Sequence, residues 1–166
     1  MTVADDPSDA EAHLARSRAS LAAVRRMEDG LAAAEEDMTP YFTEGFTWRG
    51  NRGCGTKAGL AAFRAGWQKP LRAAFTDRVY VTEQFLADGD WAGCFGHIEA
   101  THSGPFMGIA ATGKRVRIPY MDFWRVEDGR IADNPLSVDF AEVLYQLGRD
   151  VFAGEGWEGK EDDAPA

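Results

Sequence analysis

Four polar side chains that could do chemistry fall within residues 102–139, a stretch rich in aromatic and aliphatic groups: His102, Asp122, Asn134 and Asp139. A carboxylate among large apolar neighbours is costly to bury unless something satisfies it or uses it. Removal from water disfavours the charged form, so the pKa of such an acid rises. Asp122, between Tyr120 and Trp124 in the run IPYMDFWRV, fits this description. It is either a functional acid that donates a hydrogen bond or a proton, or one half of a structural polar pair. His102 can serve as acid or base near neutral pH, although a lone histidine is more often structural. Asp139 precedes an apolar helical run, where capping alone accounts for an aspartate.

Strand alternation divides these groups between two faces, because residues i and i+2 share a side. In the strand expected at 91–102, Ala92, Cys94, Gly96, Ile98, Ala100 and His102 form one set, small and mostly apolar. Trp91, Phe95, His97 and Glu99 belong to the other. In the next strand Ile118, Tyr120, Asp122 and Trp124 share a face, and Arg115, Arg117 and Arg125 point away from it. Small inward residues on a concave sheet leave room for a ligand.

The elements that position these groups follow from period and punctuation. Helical spacing of Leu14, Leu21 and Val24 predicts a helix over 10–27, capped by Asp9 and ended by Gly30. A second short helix is expected over 31–38, stopped by Pro40. Phe46 and Trp48 alternate with polar residues as in a short strand, and Gly50, Gly53 and Gly55 then form a loop. That loop carries neither of the glycine signatures of a phosphate cradle. Thr56 is the expected N-cap of a helix over 56–68 that aligns Leu60, Phe63 and Trp67 on one face. About four strands follow from Phe75, with turns at Asp88-Gly89-Asp90 and Glu127-Asp128-Gly129, and a helix over 139–148 ends the pattern. Helices followed by a strand meander imply an α+β fold, a conical curved antiparallel sheet packed by N-terminal helices. The expected organisation is a flexible leader at 1–8, one domain over 9–152 and an acidic flexible tail at 153–166.

The formal charge of −9 argues against nucleic acid as a partner, which would need clustered lysine and arginine. Two cysteines, Cys54 and Cys94, lack metal-site spacing and read as unpaired thiols. His13, His97 and His102 do not form a metal triad, so no metal is expected. The N-terminus has no secretory h-region and no apolar run is long enough to span a bilayer. A cytoplasmic protein with no membrane partner is the expectation.

The segments HSGPFMGIAATGKRV, DFWRVEDGRIADNPLSVD and LYQLG together resemble the SnoaL-like polyketide cyclases, or ester cyclases, of the nuclear transport factor 2-like superfamily. The resemblance covers residues 48–148. It implies an α+β barrel, a homodimer through the outer sheet face, and cofactor-free aldol ring closure of an apolar, carbonyl-bearing small molecule. In it a carboxylate takes the proton alpha to a carbonyl, a role that falls on Asp139. Asp122 and His102 would then orient or stabilise the oxyanion, with Trp48, Phe63, Trp67, Tyr120, Trp124 and Asn134 against the ligand. The strand around Asp122 is also similar to the one that carries the neutral oxyanion-hole acid of ketosteroid isomerases. The isomerase base has no counterpart here, since Thr47-Trp48-Arg49 precedes the GCGT loop. The chain departs from the cyclase pattern at Asp133-Asn134-Pro135, where an aromatic pair is usual. A non-catalytic binding module of the same fold is the alternative. A limonene-type epoxide hydrolase is a further one, weakened because the nearby strand arginines face away.

Overall fold

The computed structural model describes residues 7–33 and 35–157. Helix α1 spans Pro7–Ala32. Its buried positions, Ser17, Ser20, Ala23, Val24, Met27 and Gly30, repeat at three- and four-residue spacing along one side. Pro7 and Ser8 are therefore helical, and Asp9 lies in the first turn instead of capping it, where its charge complements the helix dipole. The rest of the expected leader, and 158–166 of the expected tail, lie outside the described residues.

Gly30 does not end α1. A Cβ there would stand 2.9 Å from the Tyr41 ring, so the glycine admits a close-packed aromatic. The separate helix expected over 31–38 is absent among the described residues; the chain leaves α1 and passes through a 3-10 turn at Thr39–Tyr41. Pro40 sits in the first positions of that turn, where its missing N–H costs nothing, and so initiates structure where it was expected to stop it.

Strand β1 (Phe42–Gly50) is followed by β2 (Thr56–Ala58). Thr56 pairs with Arg49 across this hairpin, so its backbone is committed to the sheet and it caps no helix. The helix begins three residues later, as α2 (Gly59–Phe63), and continues through a π-helical segment at Arg64–Gln68 into α3 (Lys69–Ala74). Pro70 has no N–H to donate to the preceding turn, and a widened turn before it accommodates that loss.

Strands β3 (Phe75–Asp88), β4 (Trp91–His102), β5 (Arg115–Glu127) and β6 (Arg130–Val138) complete a six-stranded curved open sheet of order β2-β1-β6-β5-β4-β3. The fold is α+β. All neighbours are antiparallel except β1 and β6, which run parallel, a pairing the strand meander did not announce. Helix α4 (Phe140–Gln146) packs against β5.

The alternation expected for β4 and β5 is observed: Ala92, Cys94, Ile98, Ala100, Val116, Ile118 and Trp124 are buried, whereas Phe95, Arg115, Met121 and Phe123 are exposed. Helix α1 packs on the inner face against β3 to β6. Ser17 and Ser20 anchor it to the β3–β4 turn: Ser20 Oγ donates to the Gly89 carbonyl (2.9 Å), and the Gly89 amide donates to Ser17 Oγ (2.8 Å). Gly96 is required where β3 bulges after Thr82, because a Cβ there would lie 2.2 Å from the Val81 carbonyl oxygen. Gly96→Ala is expected to destabilise the chain by about 1–3 kcal/mol, read as a lower urea midpoint at unchanged slope.

Candidate functional site

A cavity of about 400 Å³ lies between the inner sheet face, α1 and the α2–α3 segment. Its aromatic wall is Phe42, Trp48, Phe63, Trp67 and Trp124, with Trp48 and Trp67 stacked at 4.8 Å between ring centroids. These rings come from β1, the helical segment and β5, so no single element carries the wall.

Asp122 and Asn134 supply the polar floor. Both occupy inward positions, on β5 and β6, while Asp133 between them in pattern faces outward and pairs with Arg49 (Nη2 to Oδ2, 2.6 Å). Asn134 is buried, and its Nδ2 donates to Asp122 Oδ1 (2.5 Å) and to the Phe123 carbonyl (2.7 Å). The altered Asp133-Asn134-Pro135 segment thus provides the amide that holds the carboxyl in place. Asp122 is enclosed by protein yet opens onto the cavity. Desolvation pushes its pKa well above the usual carboxylate range; the Asn134 bond opposes this, nearby Glu28 adds to it, and the Phe123 amide opposes it.

Glu28 on α1 lines the same cavity, a residue the sequence reading missed. Burial pushes it up to about 7, with Asp29 adding to the shift and Arg25 opposing it. The signal was present: Glu28 follows Val24 by four residues and precedes Leu31 by three, an acid on the apolar face of an amphipathic helix. Gln68, Arg72, Arg78 and Tyr80 are further polar members of the lining that the strand-centred argument did not reach.

The remaining expected site residues are placed elsewhere. Tyr120 is not part of the cavity wall; its hydroxyl lies 3.2 Å from Thr82 Oγ1. His102 is fully buried, as its strand face required, but beyond the cavity, near the Phe75 and Phe106 rings. Its Nδ1 lies 3.0 Å from Thr112 Oγ1 and 3.3 Å from the Thr112 amide, and its buried Nε2 has no hydrogen-bond partner among the described residues. Further hydrogen bonds join the His102 backbone to Gly113 and Lys114, so this residue pins the loop between β4 and β5. Asp139 is exposed and caps α4, its Oδ1 accepting from the Glu142 amide at 2.9 Å. His102, Asp122 and Asp139 therefore do not converge. Asn134, Leu136 and Val138 hold the inward positions of β6, so Asp139 falls on the opposite side just past the strand's end, and His102 lies at the far end of β4 from Cys94, the partner of Asp122.

Cys54 and Cys94 are free and buried, and desolvation raises their thiols to about 11 and about 12. Among the described residues no three His, Cys, Asp or Glu side chains are grouped to hold a metal ion, and no helix is long and apolar enough to cross a membrane.

A curved sheet closed by helices over an aromatic cavity with a buried carboxyl defines an α+β fold of the nuclear transport factor 2-like class. Solved structures agree. The chain superimposes on a protein from Jannaschia sp. CCS1, assigned as a SnoaL-like polyketide cyclase, with a TM-score of 0.70 at 18% identity over 88% of this chain and 97% of that one. AclR from Streptomyces galilaeus, suggested to be a hydroxylase, matches with a TM-score of 0.67 at 20% identity over 80% and 97%. The model of the SnoaL-like polyketide cyclase family matches residues 21–147, and the chain belongs to that family. Among curated proteins, aklanonic acid methyl ester cyclase DnrD from Streptomyces peucetius is 28% identical over 88 residues. That match spans 52% of this chain and 61% of DnrD, less than two thirds of the relative's length.

Proposed function

We propose that the chain is a cofactor-free acid/base enzyme that binds an apolar, carbonyl-bearing small molecule and closes a ring by intramolecular aldol addition. The observation that carries this reading is the pair of carboxyls, Glu28 and Asp122, in one aromatic cavity, both raised by desolvation. Glu28, the less deeply buried, ionises first and serves as base. Asp122 stays protonated and donates a hydrogen bond to the carbonyl oxygen that becomes the enolate. Glu28 takes the proton alpha to that carbonyl, the enolate carbon attacks a second carbonyl of the same molecule, and the new alkoxide takes the proton back from Glu28. One C–C bond forms, nothing leaves, and both carboxyls return to their starting states. Asn134 is a positioning residue that orients Asp122.

The test is exchange of the α-proton of a carbonyl-bearing polycyclic compound in D₂O, followed by NMR. Exchange by the parent that is lost in Asp122 and Glu28 variants supports the reading. Binding without exchange in the parent would instead support a non-catalytic binding module.

The same reading includes self-association. Val79, Val81, Leu86, Phe95, Met121 and Phe123 are exposed on the outer face of β3 to β5, amid acidic and basic side chains of both signs. An apolar strip within mixed charge suits an identical copy. Phe95→Glu is expected to yield a monomer in sedimentation velocity; a parent that already sediments as a monomer contradicts the proposal.

A further inference from the structure

The cavity contains cations as well as carboxyls. Arg72 on α3 and Arg78 on β3 both line it, and neither has a carboxylate partner among the described residues. Arg78 is half-buried, with one guanidinium nitrogen donating to the Phe75 carbonyl and the others unassigned. Arg72, with Leu31 and Gln68, also lines a smaller adjoining cavity of about 90 Å³ that adds Arg64 and Lys69 against one acid, Glu35. This end of the site is therefore locally positive in a chain whose net charge is −9.

Arg78 stands apart from Asp122 along the sheet. Sheet register gives the scale. Arg78 immediately precedes Val79, which pairs with Glu99, and Glu99 pairs with Arg117; Asp122 lies five residues further along β5. At about 3.3 Å per residue, on the order of 15–20 Å of strand separates the two levels. Arg72 is exposed, whereas the half-buried Arg78 guanidinium lacks a counter-ion, which is unfavourable there, and the planar fork of an arginine matches a carboxylate.

We infer that the ligand of this cavity carries a carboxylate, which Arg78 and Arg72 receive at the end remote from Asp122. The inference rests on the functional reading above and narrows its substrate class to carbonyl compounds with an acid group. The carboxylate anchors the molecule, and its carbonyl portion extends along the aromatic wall to Asp122. Gln68, shared by the two cavities, offers an amide to the same end.

The test uses anthraquinone-2-carboxylate and its methyl ester, titrated against tryptophan fluorescence at low salt. The parent is expected to bind the acid at least about tenfold more tightly than the ester. In the Arg72→Gln, Arg78→Gln double variant acid binding weakens until the two affinities come within about twofold of one another. Arg130→Gln, a change of the same charge outside the cavity, leaves the preference intact. Circular dichroism checks that each variant is folded. Equal binding of acid and ester by the parent, or a preference that survives the double variant, overturns the inference and leaves the cavity reading standing. If neither compound binds, both the inference and the cavity reading fail.

Discussion

Asp122→Asn is expected to lower turnover by on the order of 10²- to 10³-fold while leaving the chain folded and no less stable at neutral pH. Asparagine has the same shape as the carboxylic acid, and its amide oxygen can still accept from Asn134 Nδ2. It also removes an ionisable group that burial disfavours. What it lacks is an acidic O–H at the position where an enolate oxygen would sit, so the effect belongs in kcat more than in KM. Steady-state kinetics of α-proton exchange, beside a thermal melt, measure both halves. Full activity in Asp122→Asn would remove this residue from the mechanism. A collapsed melt would mean that the side chain is structural.

Glu28→Gln has a second large effect, and its pH dependence identifies it. A base raised to about 7 makes the rate rise with pH through that region, and the glutamine variant loses the rising limb. The stability consequence has a definite sign. Below about 4.5 the group is protonated in both folded and unfolded chains and contributes nothing. As pH rises from there to about 7, the unfolded chain gives up the proton while the folded chain keeps it, so the native state loses stability. Above that window the loss is complete, about 2 kcal/mol after allowing for partial screening. Glu28→Gln is therefore expected to melt higher than the parent at pH 8 and at the same temperature at pH 4. Asp122 acts in the same direction. Because the two carboxyls interact, the observed pKa values belong to the pair. A difference that runs the other way, or none at pH 8, would place Glu28 in solvent.

The sheet was the most legible part of the chain. Residues 91–102 and 115–126 alternate so regularly that inward and outward faces could be assigned one by one, and the burial of Cys94, Ile98, Ile118 and Trp124 follows that assignment. Pairing supplies a period of two, and a core on one side makes each residue declare its face. The helical regions were less legible. Gly30 serves a packing contact with Tyr41 instead of ending a helix, and Thr56 is drawn into a hairpin with Arg49. Both outcomes depend on what lies across space, which local propensity does not encode.

Sequence alone determined that this chain is an α+β domain of the SnoaL-like kind, with Asp122 on an inward face among aromatics. Only the tertiary structure decided which polar groups share that space. His102 has the right face but lies beyond the cavity, Asp139 has left the sheet to cap α4, and Glu28 shares the cavity with Asp122 from a helix some ninety residues earlier in the chain. Alternation records the side of a strand on which a residue lies, because that is set by backbone geometry. It carries no record of the depth at which a side chain ends or of what packs over it, and those decide desolvation, pKa and the chemistry available.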